Sequence, residues 1–460
     1  MLFSSIPFLY YFLPTVLILY FLAPKQLKNT VLLLSSLIFY GWGEPKLLLL
    51  MVFTILLFWL CGLGIGRAGE RGRKFWLTFC TAVSLALLGL FKYADFFIGS
   101  FNAITGLGIP LLKIALPVGI SFYTFQCLSY AIDVYRGAVP PQKNLVNFAA
   151  YVCLFPQLIA GPIVRYADVA RELEDRTTTW VDVSEGLRRF LVGLGKKVIL
   201  ADNLALLVNL YRESTEPSVL FAWLYAVAFT LHIYFDFSGY SDMAIGLGRI
   251  FGFHFIENFN YPYLSKSVTE FWRRWHMSLG SWFRDYVYIP LGGNRVPKSR
   301  WVCNILLVWM LTGAWHGAAW NFVLWGLLYA VCLLIEKWLP ALQKLPAALR
   351  HGYTMLIVVL GFVLFNAESL SQAGSDLACL FGFGGLPLIS AETAYYLRSF
   401  APVLILASIG ATPAPKKAAF ALTKTRFAPA LELFLLAGIL LISTAYLVDG
   451  SFSPFLYFRF

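Results

Sequence analysis

The chain has 460 residues, of which 59% are hydrophobic, 17% aromatic and only 13% charged, with a mean hydropathy of +0.71. Soluble domains are nearer a quarter charged, so the composition excludes a soluble protein and points to a polytopic membrane protein. The formal net charge is +12, but no basic face alternates with stacking aromatics, which argues against a nucleic-acid partner; the basic residues cluster in loops, as the positive-inside rule expects.

The N-terminus is apolar, without a basic leader region or a small-residue cleavage site, and reads as a first membrane segment rather than a removable signal. That span covers about residues 6–23. Spans follow near 30–43, 46–66, 75–93 and 114–135, and basic loops carry Lys25 and Lys28, then Arg67 to Lys74, then Arg136 and Lys143. The strongest basic stretch comes next, with Arg165, Arg171, Arg176, Arg188, Arg189, Lys196 and Lys197. Paired spans separate these clusters, so all fit on the cytoplasmic side, with the N-terminus outside. Between them lies Phe155 to Ile163, where Pro156, Gly161 and Pro162 break any continuous helix. Broken backbone at membrane depth is tolerated when buried in protein or lining a cavity, so a re-entrant segment is expected, with an interfacial loop as the alternative. The 7 cysteines show no CxxC spacing and read as small core hydrophobes, with neither disulfides nor a metal site expected.

Residues 230–300 are the least lipid-like part of the core. Thr230 to Asp242 place His232, Asp236 and Asp242 in an apolar helix, with His232 and Asp236 spaced to pair on one face. Ser267-Val268-Thr269-Glu270 matches a capping box. It predicts an amphipathic helix running to about Tyr286, with His276 on a face with Trp272, Leu279 and Phe283 and with Arg273 and Arg274 pointing elsewhere. That arginine pair suits a phosphorylated ligand or, more ordinarily, lipid head groups. The turn Pro290 to Arg295 ends the unit and is no phosphate loop.

His316 lies in the apolar run Leu311 to Asn321, between Trp309 and Trp325. An ionisable group at membrane depth is costly unless it faces the protein interior or a wet cavity, so it is a functional-site hypothesis by default. The bland alternative, a neutral imidazole packed in the bundle, weakens once His276 is set beside it. Further apolar stretches follow near 318–336, 353–365, 394–411 and 430–448, while residues 371–391 lack Lys and Arg and suit an external loop. The total is 11 or 12 crossings plus re-entrant and amphipathic pieces, all-α, with the C-terminus outside. No internal repeat is evident, which argues against inverted-repeat transporter folds.

Phe271-Trp272-Arg273-Arg274-Trp275-His276-Met277-Ser278-Leu279, then Trp282 to Tyr286, then Trp315-His316-Gly317 together resemble the membrane-bound O-acyltransferase family. The resemblance spans essentially the whole chain. It is closest to the bacterial branch of the alginate O-acetyltransferase membrane subunit, and Tyr234 to Met243, Pro156 to Pro162 and Met1 to Ser5 share in it. It implies one domain, residues 1–460, built around a central tunnel: N-terminal helices in 1–143, a core with both histidine motifs in 144–350, and C-terminal helices with an aromatic tail in 351–460. It further implies a bacterial inner-membrane enzyme with both termini in the periplasm. The reaction would move an acetyl group from a cytoplasmic thioester, acetyl-CoA or another acyl thioester with no bound cofactor, to an envelope polysaccharide, with a periplasmic esterase-like partner. His316 would be the catalytic histidine and His276 the second active-site position. Trp272, Arg273, Arg274, Trp315, Asp236 and Asp242 are candidate substrate-binding residues.

The chemistry fits independently. Acyl transfer to a hydroxyl needs a base, for which neutral histidine is the usual choice. The oxyanion needs a donor, from His276 or an indole N–H. No Gly-x-Ser-x-Gly elbow appears, so a serine acyl-enzyme is not expected. The chain ends Phe455-Leu456-Tyr457-Phe458-Arg459-Phe460; related envelope systems carry a similar tyrosine motif, which implies Tyr457 as an acyl relay, against the plainer role of an interfacial anchor. A lipid-linked sugar transporter or a non-catalytic scaffold remain as alternatives. Neither would consume a thioester, and a scaffold would need neither histidine.

Overall fold

The computed structural model describes residues 1–383, 385–422, 427–450 and 455. Every regular element among them is helical. Two compact units divide the chain: Met1–Phe190 with Ser241–Ile256, and Leu191–Tyr240 with Glu257–Phe460. Among the described residues, six helices are long and apolar enough to cross a membrane: Leu48–Arg67, Glu70–Thr105, Val219–Ile250, Trp320–Trp338, Ala347–Asn366 and Ala428–Val448. The pair Ala391–Gly410 and Ala414–Leu422, bent by 76°, makes a seventh if it forms one span. The expected 11 or 12 also counted shorter pieces, such as the apolar stretch Phe8–Leu22 and the 16-residue helix Lys28–Gly43. Residues 371–391, expected as a loop, begin within the helix Leu370–Leu380, which Ser369 caps through the Gln372 N–H.

In the first unit the broken segment is confirmed as buried, non-continuous backbone. Phe155–Leu158 forms a short helix, and every residue from Leu154 to Val164 is buried. The positive φ of 77° at Gly119 lets that residue pass close to the Leu158 carbonyl, where a side chain would collide. Two arginines of the basic stretch, Arg176 and Arg189, also make bonds within the protein. Arg176 donates to the Phe251 carbonyl at 2.9 Å and to Asn29 Oδ1 at 2.6 Å, and Arg189 pairs with Asp242 at 2.9 Å. The sequence reading placed these guanidinium groups by charge alone, which cannot register an acceptor brought in from another helix.

The second unit holds both histidine motifs. Lys298–His316 and Trp320–Trp338 form a helical hairpin, turning through the extended residues Gly317 and Ala319. Gly313 and Gly326 face each other across it, and a Cβ on either would strike the opposing backbone. Small residues at such a crossing bring two helices within van der Waals contact. The close crossing fixes the end of the first helix, and His316 is its last residue. Lys197, counted among loop charges, is 2% exposed; its ammonium lies 2.6 Å from Asp202 and 2.8 Å from Asp236. Buried charge at this depth persists because it is paired.

Candidate functional site

The predicted helix from Ser267 to Tyr286 is broken. Val268–Arg274 and Met277–Phe283 are separate helices, and His276 between them adopts φ 46° and ψ 52°. No glycine or proline marks this point, so periodicity could not find it. Left-handed backbone at a non-glycine residue is strained and is retained where surrounding bonds enforce it. Here the Met277 N–H donates to the Asn258 carbonyl at 3.0 Å and the Asn260 N–H donates to the Arg274 carbonyl at 2.9 Å, so residues 258–260 splint the break from both sides.

The capping box is half correct. Ser267 Oγ accepts from the Glu270 N–H at 2.9 Å, but the Glu270 carboxylate accepts from the Lys266 N–H and pairs with Arg274 at 2.8 Å. The stronger clamp comes from Glu336, at the end of the helix Trp320–Trp338. Its carboxylate accepts from the Val268 N–H at 2.6 Å, the Thr269 N–H at 2.9 Å and Thr269 Oγ1 at 2.7 Å. A carboxylate at a helix N-terminus satisfies orphan N–H groups and opposes the helix dipole. Glu336 thus ties the Trp272 and Arg273 helix to the histidine hairpin.

A cleft of about 1080 Å3 opens against these elements. Trp272, His276, Leu279 and Phe283 all line it despite the break. Its wall also carries Lys266, Arg273, Arg284, Lys337 and Arg350. The carboxylate on that wall, Glu336, is engaged at the helix N-terminus, so the surface favours an anionic ligand. The arginine pair is split: Arg273 faces the cleft, whereas Arg274 is held by Glu270 and the Asn260 carbonyl.

His276 is 1% exposed and His316 3%. Their ring centroids are 6.3 Å apart. Trp315 stands 5.8 Å from His276, and Trp325 and Phe365 stand 5.1 Å and 5.3 Å from His316. Trp309 and Thr312, on the same helix as His316, line the cleft, while His316 itself is not among its lining residues. Burial pushes the His276 imidazole down to about 3, so it is neutral across the physiological range. Its Nδ1 lies 3.0 Å from Asn258 Oδ1. Its Nε2, and the indole nitrogen of Trp272, are buried with no hydrogen-bond partner among the described residues.

The two acids put forward as substrate contacts have other partners. Asp236 meets Lys197, and Asp242 lies in the first unit with Arg189. His232 Nδ1 is 2.9 Å from the Ala201 carbonyl. Tyr457 lies outside the described residues. Phe455, two positions before it, is buried, with its ring 5.0 Å from Tyr240 and 6.1 Å from Phe237. The Phe237 ring in turn is 4.7 Å from His276. Sequence reasoning passed over Asn258 and Glu336; an acid closing an apolar span was the available signal for the second.

One buried imidazole lining a basic cleft and a second behind it, within a helical membrane protein, are parts suited to membrane-embedded acyl transfer. Residues 138–368 match the membrane-bound O-acyltransferase family. The chain is 46% identical to a probable alginate O-acetylase of Azotobacter vinelandii over 89% of its length and 84% of the relative's. It is 41% identical to the probable alginate O-acetylase of Pseudomonas putida over the whole of both chains. It is also 33% identical to a peptidoglycan O-acetyltransferase of Helicobacter pylori, over 89% of this chain and 85% of that one. The chain belongs to the membrane-bound O-acyltransferase family and is a multi-pass membrane O-acyltransferase.

Proposed function

We propose that this chain moves an acetyl group from a cytoplasmic acyl thioester, across the bacterial inner membrane, for O-acetylation of an envelope or extracellular polysaccharide of the alginate kind. One observation carries the reading: the cationic cleft is lined by His276, whose ring centroid lies 6.3 Å from that of His316. A thioester donor such as acetyl-CoA is rich in phosphate, which suits Arg273 and Arg350 on the cleft wall; Arg284 on the same wall is paired with Asp285. The alginate and peptidoglycan O-acetylases among the relatives support a polysaccharide acceptor. His316 and His276 supply the imidazoles that receive the hydroxyl proton, and the Trp272 indole N–H is the donor for the oxyanion. Both termini are taken as periplasmic; Phe455 packs against Tyr240 and against Phe237, which adjoins His276, and this supports a relay at Tyr457. Tyr457 then relays the acyl group to the polymer or to a periplasmic esterase-like partner.

The test is turnover of radiolabelled acetyl-CoA by purified protein, wild type against His316→Ala. Loss of transfer in a variant that still inserts and purifies as a monodisperse species supports the reading. Polymer acetylation at the wild-type rate in His316→Ala sinks the assignment of that histidine, and no thioester consumption by the wild type sinks acyl transfer from this donor.

A further inference from the structure

We propose that Asn258 is a positioning residue that locks His276 in the Nδ1–H tautomer, so that Nε2 meets the cleft as a proton acceptor. The inference rests on the acyl-transfer reading above, and it assigns the direction of the proton at His276. Asn258 Oδ1 accepts from Ser278 Oγ at 2.9 Å and the Ser278 N–H at 3.3 Å, and it lies 3.0 Å from His276 Nδ1; Ser278 Oγ, already donating to that oxygen, is a longer 3.4 Å from the same ring nitrogen. A carbonyl oxygen cannot donate, so the ring nitrogen facing it carries the hydrogen. In a neutral imidazole the other nitrogen then holds the lone pair. That atom, Nε2, is buried without a partner among the described residues, on a side chain that lines the cleft.

The rest of the surroundings favour the same state. Phe237, Trp315 and His316 pack around the His276 ring. Burial itself disfavours protonation of the imidazole. A splint of two backbone hydrogen bonds holds residue 276 in its left-handed conformation. Backbone strain retained around one side chain is expected where orientation matters more than local stability.

The consequence is chemical. Held in this tautomer, His276 accepts and does not donate, so it is no oxyanion ligand; that part falls to the Trp272 indole N–H. In the transfer step the attacking hydroxyl gives its proton to Nε2 as its oxygen bonds the thioester carbon. The carbon–sulfur bond breaks, and the thiolate departs with the electron pair and is neutralised by that proton. His316 completes the imidazole pair at the transfer point.

The experiment uses the full chain in detergent micelles, with 15N-labelled histidine and subtraction of a His276→Gln spectrum to assign the signal among the 5 histidines. The wild type is expected to show the Nδ1–H tautomer at position 276. Asn258→Ala should mix the tautomers and lower kcat with acetyl-CoA by roughly a hundredfold while leaving the donor KM nearly unchanged. Asn258→Asp is the conservative control. Its carboxylate accepts from the same three donors, so the tautomer persists, and its charge raises the imidazole pKa, adding a new acidic limb to the pH profile. An Nε2–H tautomer in the wild type overturns the proposal, as does wild-type tautomer and kcat in Asn258→Ala. So does a folded Asn258→Asp that is inactive with no new limb. The tautomer is read without turnover, so full activity in His276→Ala would fail the catalytic reading separately.

Discussion

Lys197→Met tests whether the charges inside the second unit are structural. The ammonium sits 2.6 Å from Asp202 and 2.8 Å from Asp236, and the three residues are 2%, 6% and 0% exposed. Methionine keeps most of the aliphatic stem and removes the charge, leaving two buried carboxylates with their shared cation gone. Breaking a buried ion pair from one side costs about 3–5 kcal/mol, because the carboxylates lose this counter-charge at a buried site. For a unit of this size that corresponds to a fall of roughly 10 °C in apparent Tm. Asp202→Asn or Asp236→Asn should cost less, since each leaves a one-to-one pair. The triple variant Lys197→Met, Asp202→Asn, Asp236→Asn should regain much of the loss, because no buried charge is left unpaired. Tryptophan fluorescence during heating in detergent, at a fixed scan rate, reads all five proteins. An apparent Tm for Lys197→Met equal to wild type, or no lower than that of the asparagine variants, refutes the reasoning.

Glu336→Gln exchanges a carboxylate that receives three hydrogen bonds for an amide that can turn a donor toward N–H groups. The expected result is a loss of about 1–3 kcal/mol, seen as a lower Tm, with slower acyl transfer from a disturbed Trp272 and Arg273. The His276 imidazole, pushed from its ordinary 6.5 to about 3 by burial, makes folding favour the neutral form. Stability is therefore flat above about pH 6.5 and falls as pH drops toward 3, by at most ~1.4 kcal/mol per unit; acid titration of Tm in wild type and His276→Gln checks this, the variant having the shallower slope. Tyr457→Phe preserves the aromatic bulk of the tail and removes the hydroxyl, so assembly should persist while net transfer to polymer disappears, by pull-down and polymer acetylation assays; full polymer acetylation rules out the relay.

Much of the fold was legible because hydropathy reports burial in lipid or protein without distinguishing them. That is why the apolar stretches near 318–336 and 430–448 found their helices, Trp320–Trp338 and Ala428–Val448. The helix Ile120–Arg136, in the stretch read as a span near 114–135, is covered by protein over nearly all of its length. Charge was read less well. The positive-inside rule treats a lysine as a loop residue, yet Lys197 lies inside the second unit, paired with Asp202 five residues on and with Asp236 from the helix Val219–Ile250. The Asp236 contact joins residues 39 apart in sequence, and no local pattern announces it.

The same distinction separates the two histidines. His316 was conspicuous because an ionisable group stood in an apolar tryptophan-rich run, and a composition argument suffices for that. His276 drew notice through its motif, but its face was derived from a helix that does not continue through it. Trp272, His276, Leu279 and Phe283 still share one cleft because the break turns the chain without carrying these side chains away from the common wall. What decides the chemistry at His276 is therefore neither helical periodicity nor the motif around it. It is Asn258, eighteen residues upstream, whose carbonyl oxygen determines which nitrogen holds the proton. A sequence displays the ring that titrates, while the partner that sets its tautomer emerges only when two distant segments are hydrogen-bonded together.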